Sequence, residues 1–150
     1  MHDIKVKLLQ AAKVVVAIKI ETANTAVTSA QESKLNETKS SAGDKFETGR
    51  AIMQVEQEKA EMQLSQSNHL MSILNNLKLE KPYDRAALGS LVITDQHSYF
   101  LSIGIGKLVV EGKTYYAISE LSPIGKLLIG KQEKETIHFR DQTITLNKIS

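Results

Sequence analysis

The chain has no cysteine, no tryptophan and only two prolines, and aromatic residues make up just 5% of it. The missing cysteine excludes a disulfide framework, a thiolate nucleophile and a cysteine-ligated metal, and fits a reducing cytoplasm. The shortage of aromatics leaves Ala, Leu, Ile and Met to fill a core, which suits packed helices. Charge of one sign is scarce too: a net +2 is too small to argue by itself for nucleic-acid or membrane affinity. Long apolar runs are also missing. The most apolar stretch, Ala11 to Ile20, is interrupted by Lys13 and Lys19 and falls short of the ~20 residues that a membrane span needs. Lys5, Lys7 and the Thr22–Ala26 region have the outline of a signal peptide with its cleavage site. The helical period continues into Ala26 and Val27, however, as it does in a mature helix. A chain of 150 residues suits one domain or two small ones.

What is present changes character once. Residues 3–38 hold neither Pro nor Gly, and Ile4, Leu8, Ala11, Val15, Ile18, Thr22 and Ala26 alternate by fours and threes, the spacing of a coiled-coil seam. A second helical segment runs from about Asp44 to Leu77, with Met53, Gln57, Ala60, Leu64, Ser67, Met71 and Leu74 in the same rhythm. Both seams are poorer in large side chains near Gly43, and a short break favours an antiparallel pair turning near Ser40 to Gly43. Lys81-Pro82-Tyr83-Asp84 ends the helical regime. Beyond it, six short runs read as strands: Leu91–Thr94, Tyr99–Ile103, Lys107–Val110, Thr114–Ile118, Thr136–Phe139 and Thr143–Leu146. Between the fourth and fifth, Ser122 and Pro123 suit the start of a short helix, and Gly130 suits its end. The expected fold class is α+β: an antiparallel coiled-coil hairpin over 1–80, a linker at 81–87, and a small, mostly antiparallel β-rich domain over 88–150.

Chemistry concentrates in few places. Asp44 and Glu47 are three apart, so a helix puts them on one face, at the tip of the hairpin. On spacing alone, the simpler account is an N-terminal cap with a carboxylate in the first turn. The functional account is a weak Mg²⁺ site that a partner's oxygens complete. His2, His69, His97 and His138 lack metal-ligand spacing. Gly104-Ile105-Gly106 lacks the third glycine and the helix of a phosphate loop, and reads as a turn. Lys126, Lys131 and Lys134 read as a solvated face.

The run from Ile118 to Lys131 (Ile-Ser-Glu-Leu-Ser-Pro-Ile-Gly-Lys-Leu-Leu-Ile-Gly-Lys) resembles the signature near the end of the Gre family of bacterial transcript cleavage factors. Gly43-Asp44 with Glu47 is similar to the acidic tip of that family's coiled coil. The two matches come in the family's order, and the resemblance extends over nearly the whole chain. It implies a factor that binds RNA polymerase, is not itself an enzyme, and works as a monomer. The coiled coil would enter the secondary channel, where Asp44 and Glu47 help to hold a catalytic Mg²⁺ and position water. The polymerase's own active site then cuts a backtracked nascent RNA at its 3′ end. The resemblance also implies an FKBP-like carboxy-terminal domain that docks on the polymerase through Ser122 and Pro123, with Ile124 and Gly125 beside them. The chain departs from the family at Glu47-Thr48-Gly49-Arg50-Ala51, where Glu-Asn-Ala-Glu-Tyr is common, and at Leu121, where Asn or Asp is common. These departures define a rival: a Gre-like regulator that occupies the channel without stimulating cleavage. Two other readings are a prolyl isomerase, by analogy of fold, and a helical scaffold that oligomerises through its hairpin.

Overall fold

The Pro- and Gly-free start of the chain forms α1, His2–Lys39, with Asp3 in the first turn, where a carboxylate meets the positive end of the helix dipole. The second periodic segment forms α2, Gly43–Asn75. The computed structural model describes residues 2–39 and 43–150, with side chains described at 2–36 and 48–150. The turn expected at Ser40 to Gly43 falls at 40–42, outside the described residues. Among those residues no helix is long and apolar enough to cross a membrane.

Two compact units form: Val16–Met71, and Met1–Val15 together with Ser72–Ser150. In the first, the helices are antiparallel. Ala26 and Ala30 of α1 line one groove with Met53 and Ala60 of α2, and Lys34 donates a hydrogen bond to Gln54. The stripe expected on α2 is the one observed: Ala60 and Ser67 are buried, while Met53, Gln57, Leu64 and Met71 are half-buried. The Ser67 hydroxyl is satisfied by the carbonyl of Gln63 at 2.9 Å.

On α1 the expected seam needs correcting. Beyond Leu8 the buried line runs one residue later, through Ala12, Val16, Ala23 and Ala30, while Ile18 is 59% exposed and Thr22 is exposed. The expected seam followed spacing through Ala11, Val15, Ile18, Thr22 and Ala26. The buried line is set instead by small side chains, which let two helix backbones approach closely. Among the described residues, Val16, Ala23, Ala30, Ala60 and Ser67 are the buried ones of this unit, and none is larger than valine.

The other unit is built on a six-stranded sheet. Its strands are β1 (Leu91–Thr94), β2 (Ser98–Leu101), β3 (Gly106–Val110), β4 (Lys113–Ile118), β5 (Thr136–Phe139) and β6 (Gln142–Ile149), in the order β3-β4-β2-β1-β6-β5. The ladder between β2 and β4 is parallel and the others are antiparallel, so the sheet is mixed and the expected α+β plan holds. Thr94 closes the β1–β2 turn: its hydroxyl accepts from His97 N at 2.9 Å and donates to His97 O at 2.7 Å. The β3–β4 turn uses Glu111 and Gly112, both at positive φ, the two-residue hairpin turn whose twist matches that of the strands. Gly104-Ile105-Gly106 is a turn, as expected, with Gly106 at φ +82° leading into β3. One helix, α3 (Pro123–Leu128), covers the sheet. Leu128 joins Val92, Leu101 and Leu146 in the core, all four with no exposed surface.

Residues 81–87 carry no helix or strand, yet they are well anchored. Ala86 is a core residue, its N–H donating to Lys131 O and its carbonyl accepting from Gly130 N, both at 2.8 Å. The Tyr83 hydroxyl lies 2.8 Å from Lys78 O and 3.0 Å from Leu88 O. A side chain at Gly89 would place its Cβ 2.7 Å from that hydroxyl.

Among the described residues, Lys5 is the one charged side chain that is buried, at 2% exposure. Its ammonium lies 4.6 Å from the centre of the Tyr83 ring, a cation–π contact. Burial pushes the amine below the ordinary lysine range. In the window between its folded value and the ordinary 10.5, the unfolded chain binds more protons, so this residue makes stability rise with pH there. Replacing Lys5 with Met keeps the volume and removes the desolvated charge. Lys5→Met is therefore expected to be more stable by about 1 kcal/mol at pH 7, with the gap between the two proteins closing as pH climbs through that window. Urea melts of both proteins across the pH range measure it. Tyr99, whose hydroxyl burial holds in the protonated form, cancels in the difference.

Candidate docking site and helical tip

The segment after β4 is held by hydrogen bonds to its own backbone. The carbonyl of Ser119 accepts from both the N–H (3.1 Å) and the hydroxyl (2.7 Å) of Ser122. The hydroxyl of Ser119 accepts from Leu121 N at 3.1 Å. Ser122 caps α3, its side-chain oxygen accepting from Gly125 N at 3.1 Å, and Pro123 takes the first helical position. Lys126 N to Ser122 O (2.9 Å) and Ile129 N to Gly125 O (3.0 Å) complete the helix.

Gly125 is buried because nothing larger fits. A Cβ there would sit 2.1 Å from Ser119 O and 3.1 Å from Glu120 Cα, both backbone atoms. Ile124 packs half-buried against the core. Of the four expected docking residues, Ser122 and Gly125 are thus occupied in shaping the loop, Ile124 anchors it, and Pro123 is exposed. Leu121, at 75% exposure, stands beside Pro123, and Leu127, one turn on, is 37% exposed. These side chains make a short apolar edge on a stiff backbone. Lys126 and Lys134 are exposed, as a solvated face would be, while Lys131 is half-buried.

Asp44 and Glu47 fall in the first turns of α2, but their side chains lie outside the described residues. Among the described residues no cluster of three His, Asp or Glu stands close enough to hold a metal ion. The histidines are separate, as expected. His97 sits edge-on to Tyr116 and Tyr99, with ring centres 5.0 and 6.1 Å away, and His138 Nδ1 lies 3.2 Å from Thr143 Oγ1. The aromatic trio has no linear signature, since β2 and β4 bring its members together.

The loop's stiffness can be tested apart from any partner. Gly125→Ala forces a Cβ against backbone that cannot turn aside, and is expected to cost about 1–3 kcal/mol. Pro123→Ala, on the exposed edge, is expected to stay within about 0.5 kcal/mol of the parent. Thermal and urea melts of the two variants measure the contrast.

No protein-family model matches the chain, and no curated protein matches it. Among solved structures, the chain is similar to one described as the structure of the transcription factor Gfh1, with 17% identity, 93% of each chain covered and a TM-score of 0.37. A likeness of that size carries no argument about function, which has to come from the residues themselves.

Proposed function

We propose that this chain is a Gre-like transcription elongation factor. It binds bacterial RNA polymerase through the edge around Pro123, inserts its helical hairpin into the secondary channel, and stimulates cleavage of backtracked RNA by the polymerase. The observation that carries the reading is the exposed apolar edge of Leu121 and Pro123, set on a backbone stiffened by Ser122 and Gly125. A protein–protein contact favours such an edge, because little conformational freedom is lost when it docks. The helices supply reach: at a rise of 1.5 Å per residue, the 33 residues of α2 extend ~50 Å.

Asp44 and Glu47 offer hard oxygen donors, the class that Mg²⁺ takes, and two of them leave most of the coordination to water and a partner's phosphate oxygens. When bound, Mg²⁺ supplies Lewis-acid and water-activating chemistry. The role of the chain's own residues is to present two negative charges at the end of a helix pair. The similarity to a structure described as a transcription factor agrees with this reading without adding weight to it.

The second reading, occupation of the channel without cleavage, is favoured by Thr48-Gly49-Arg50. Arg50 brings a positive charge within one turn of Glu47, and Gly49 costs roughly 1 kcal/mol of helix propensity relative to Ala.

Pro123→Asp is expected to weaken binding to polymerase at least tenfold, a loss of about 1.4 kcal/mol, with the melting temperature unchanged. Equal affinity in the variant removes Pro123 from the interface. Asp44→Asn and Glu47→Gln keep shape and remove one charge each. Each is expected to abolish stimulated cleavage of labelled RNA in stalled, backtracked complexes while sparing binding. Cleavage equal to the parent's in both variants overturns the metal assignment. A parent that binds but does not cut at any Mg²⁺ concentration moves the second reading ahead.

A further inference from the structure

The helical unit of Val16–Met71 buries one stripe of α2, marked by Ala60 and Ser67, and leaves a second stripe in water. Ile52, Val55 and Met62 are each more than half exposed. Apolar side chains scattered singly over a surface need no explanation. These three are not scattered. With Lys59 they are spaced by three, four and three, the interval that lines side chains up along one side of a helix for a facing helix. At 1.5 Å per residue this outer seam runs ~15 Å, or about three turns.

The flanks of the seam are acidic. Glu56 follows Val55 on one side, and Glu58 precedes Lys59 on the other, the two positions that meet the flanks of a partner helix. Among the described residues neither carboxylate is in an ion pair, and Glu58 accepts from the neutral amide of Gln54 at 3.0 Å. Glu56 and Lys59 also line a groove whose other wall, from α1, is Ala26, Ser29, Ala30 and Ser33, none of them charged. Glu32, between Ser29 and Ser33 in the sequence, is exposed and adds a further acid to that stretch of α1. The basic residues of α2 from 48 to 62 are Arg50 and Lys59. Lys59 lies in the seam itself, whereas Arg50, two residues before Ile52, falls about 200° round the helix from it.

This pattern of charge selects the occupant. A second copy of the chain is disfavoured. In a parallel pair Lys59 would meet Lys59, and in an antiparallel pair centred on this segment Glu56 would meet Glu56 and Glu58 would meet Glu58. We propose that the outer face of α2 docks an amphipathic helix of another protein, with apolar residues on Ile52, Val55 and Met62, Lys or Arg on the flanks against Glu56 and Glu58, and an acid opposite Lys59. The face shares no residue with the docking loop or the tip, so it stands or falls independently of the polymerase reading.

The test is titration of the full chain with helical peptides of about three heptads. The first has a leucine seam interrupted by one Glu, with Lys on both flanks. The second has the same seam with Glu on both flanks, and the third is the first with its sequence scrambled. Calorimetry gives the affinity, and amide ¹H–¹⁵N spectra locate the site. Binding of the Lys-flanked peptide alone is expected, with shifts concentrated at 50–63. Val55→Ser, an exposed position, should weaken it at least tenfold, while Ile18→Ser, exposed on α1, should bind as the parent does. Glu56→Lys combined with Glu58→Lys should exchange the preference, so that the Glu-flanked peptide binds instead. Sedimentation of the chain alone is expected to give a monomer. The proposal is overturned if the Lys-flanked peptide does not bind at about 1 mM, if the scrambled peptide binds as well, or if the shifts lie elsewhere. It is also overturned if Val55→Ser binds like the parent, if Ile18→Ser loses as much, or if the double reversal leaves the preference unchanged. A dimer that Val55→Ser dissociates overturns it too, since a second copy is then the occupant.

Discussion

The parallel ladder between β2 and β4 is the constraint on which the candidate docking loop depends. Tyr99 pairs with Tyr116, Phe100 with Ala117 and Leu101 with Ile118, and Ser102 N extends the ladder by donating to Ile118 O at 2.8 Å. The next residue is Ser119, whose carbonyl organises everything up to Gly125. A slip of one residue in this register would turn Tyr115 and Ala117 out of the core. It would also move the Ser119 carbonyl away from the N–H and hydroxyl of Ser122. Because the ladder fixes the start of the loop and Leu128 fixes its end in the core, an apolar edge can stay in water between them without collapsing onto the sheet.

The two units solve the packing problem in opposite ways. The sheet buries large side chains, among them Phe100, Leu101, Leu128 and Leu146. The helical unit of Val16–Met71 buries mainly alanines, a valine and a serine, and leaves Ile18, Ile52, Val55 and Met62 more than half exposed. Such a pair gains little from transfer of apolar surface and depends more on close backbone approach and helix propensity. That balance is consistent with an element whose job is reach rather than storage of stability.

Much of this was legible in the sequence. The change of period at Pro82 separates helices from strands, and β5 begins and ends where its alternation does. Ser122, Pro123 and Gly130 mark α3 because capping chemistry is local. The stripe on α2 was readable because it is continuous. The line on α1 was not, because Ala12, Ala23 and Ala30 carry weak hydrophobic signals and their burial is decided by the neighbouring helix. The roles of Gly125, Tyr83 and Lys5 were hidden for the same reason. Gly125 is dictated by the position of one carbonyl, Tyr83 by two carbonyls on either side of it, and Lys5 by a ring 78 residues away in the chain. The exposed apolar edge was foreseen only at Pro123, whereas Leu121 was noted merely as a departure from the family's pattern. The tip was legible as a pair of charges, and its side chains are outside what the structure describes.

Leu91 and Ser150 exchange backbone hydrogen bonds in both directions, N–H to carbonyl at 2.8 and 3.0 Å, and Met1–Val15 belongs to the same compact unit as these strands. During synthesis α1 leaves the ribosome before the strands do and can become helical at once, since its bonds are local. The strand that completes its unit, β6, is made after β1 to β5. Until then Leu8 and the amine of Lys5 have no finished core to enter. Until β6 is made, α1 therefore has to persist on helix propensity and its pairing with α2. For a chain whose sheet closes by contacts of such long range, that order makes α1 and α2 the template and the sheet the slow step.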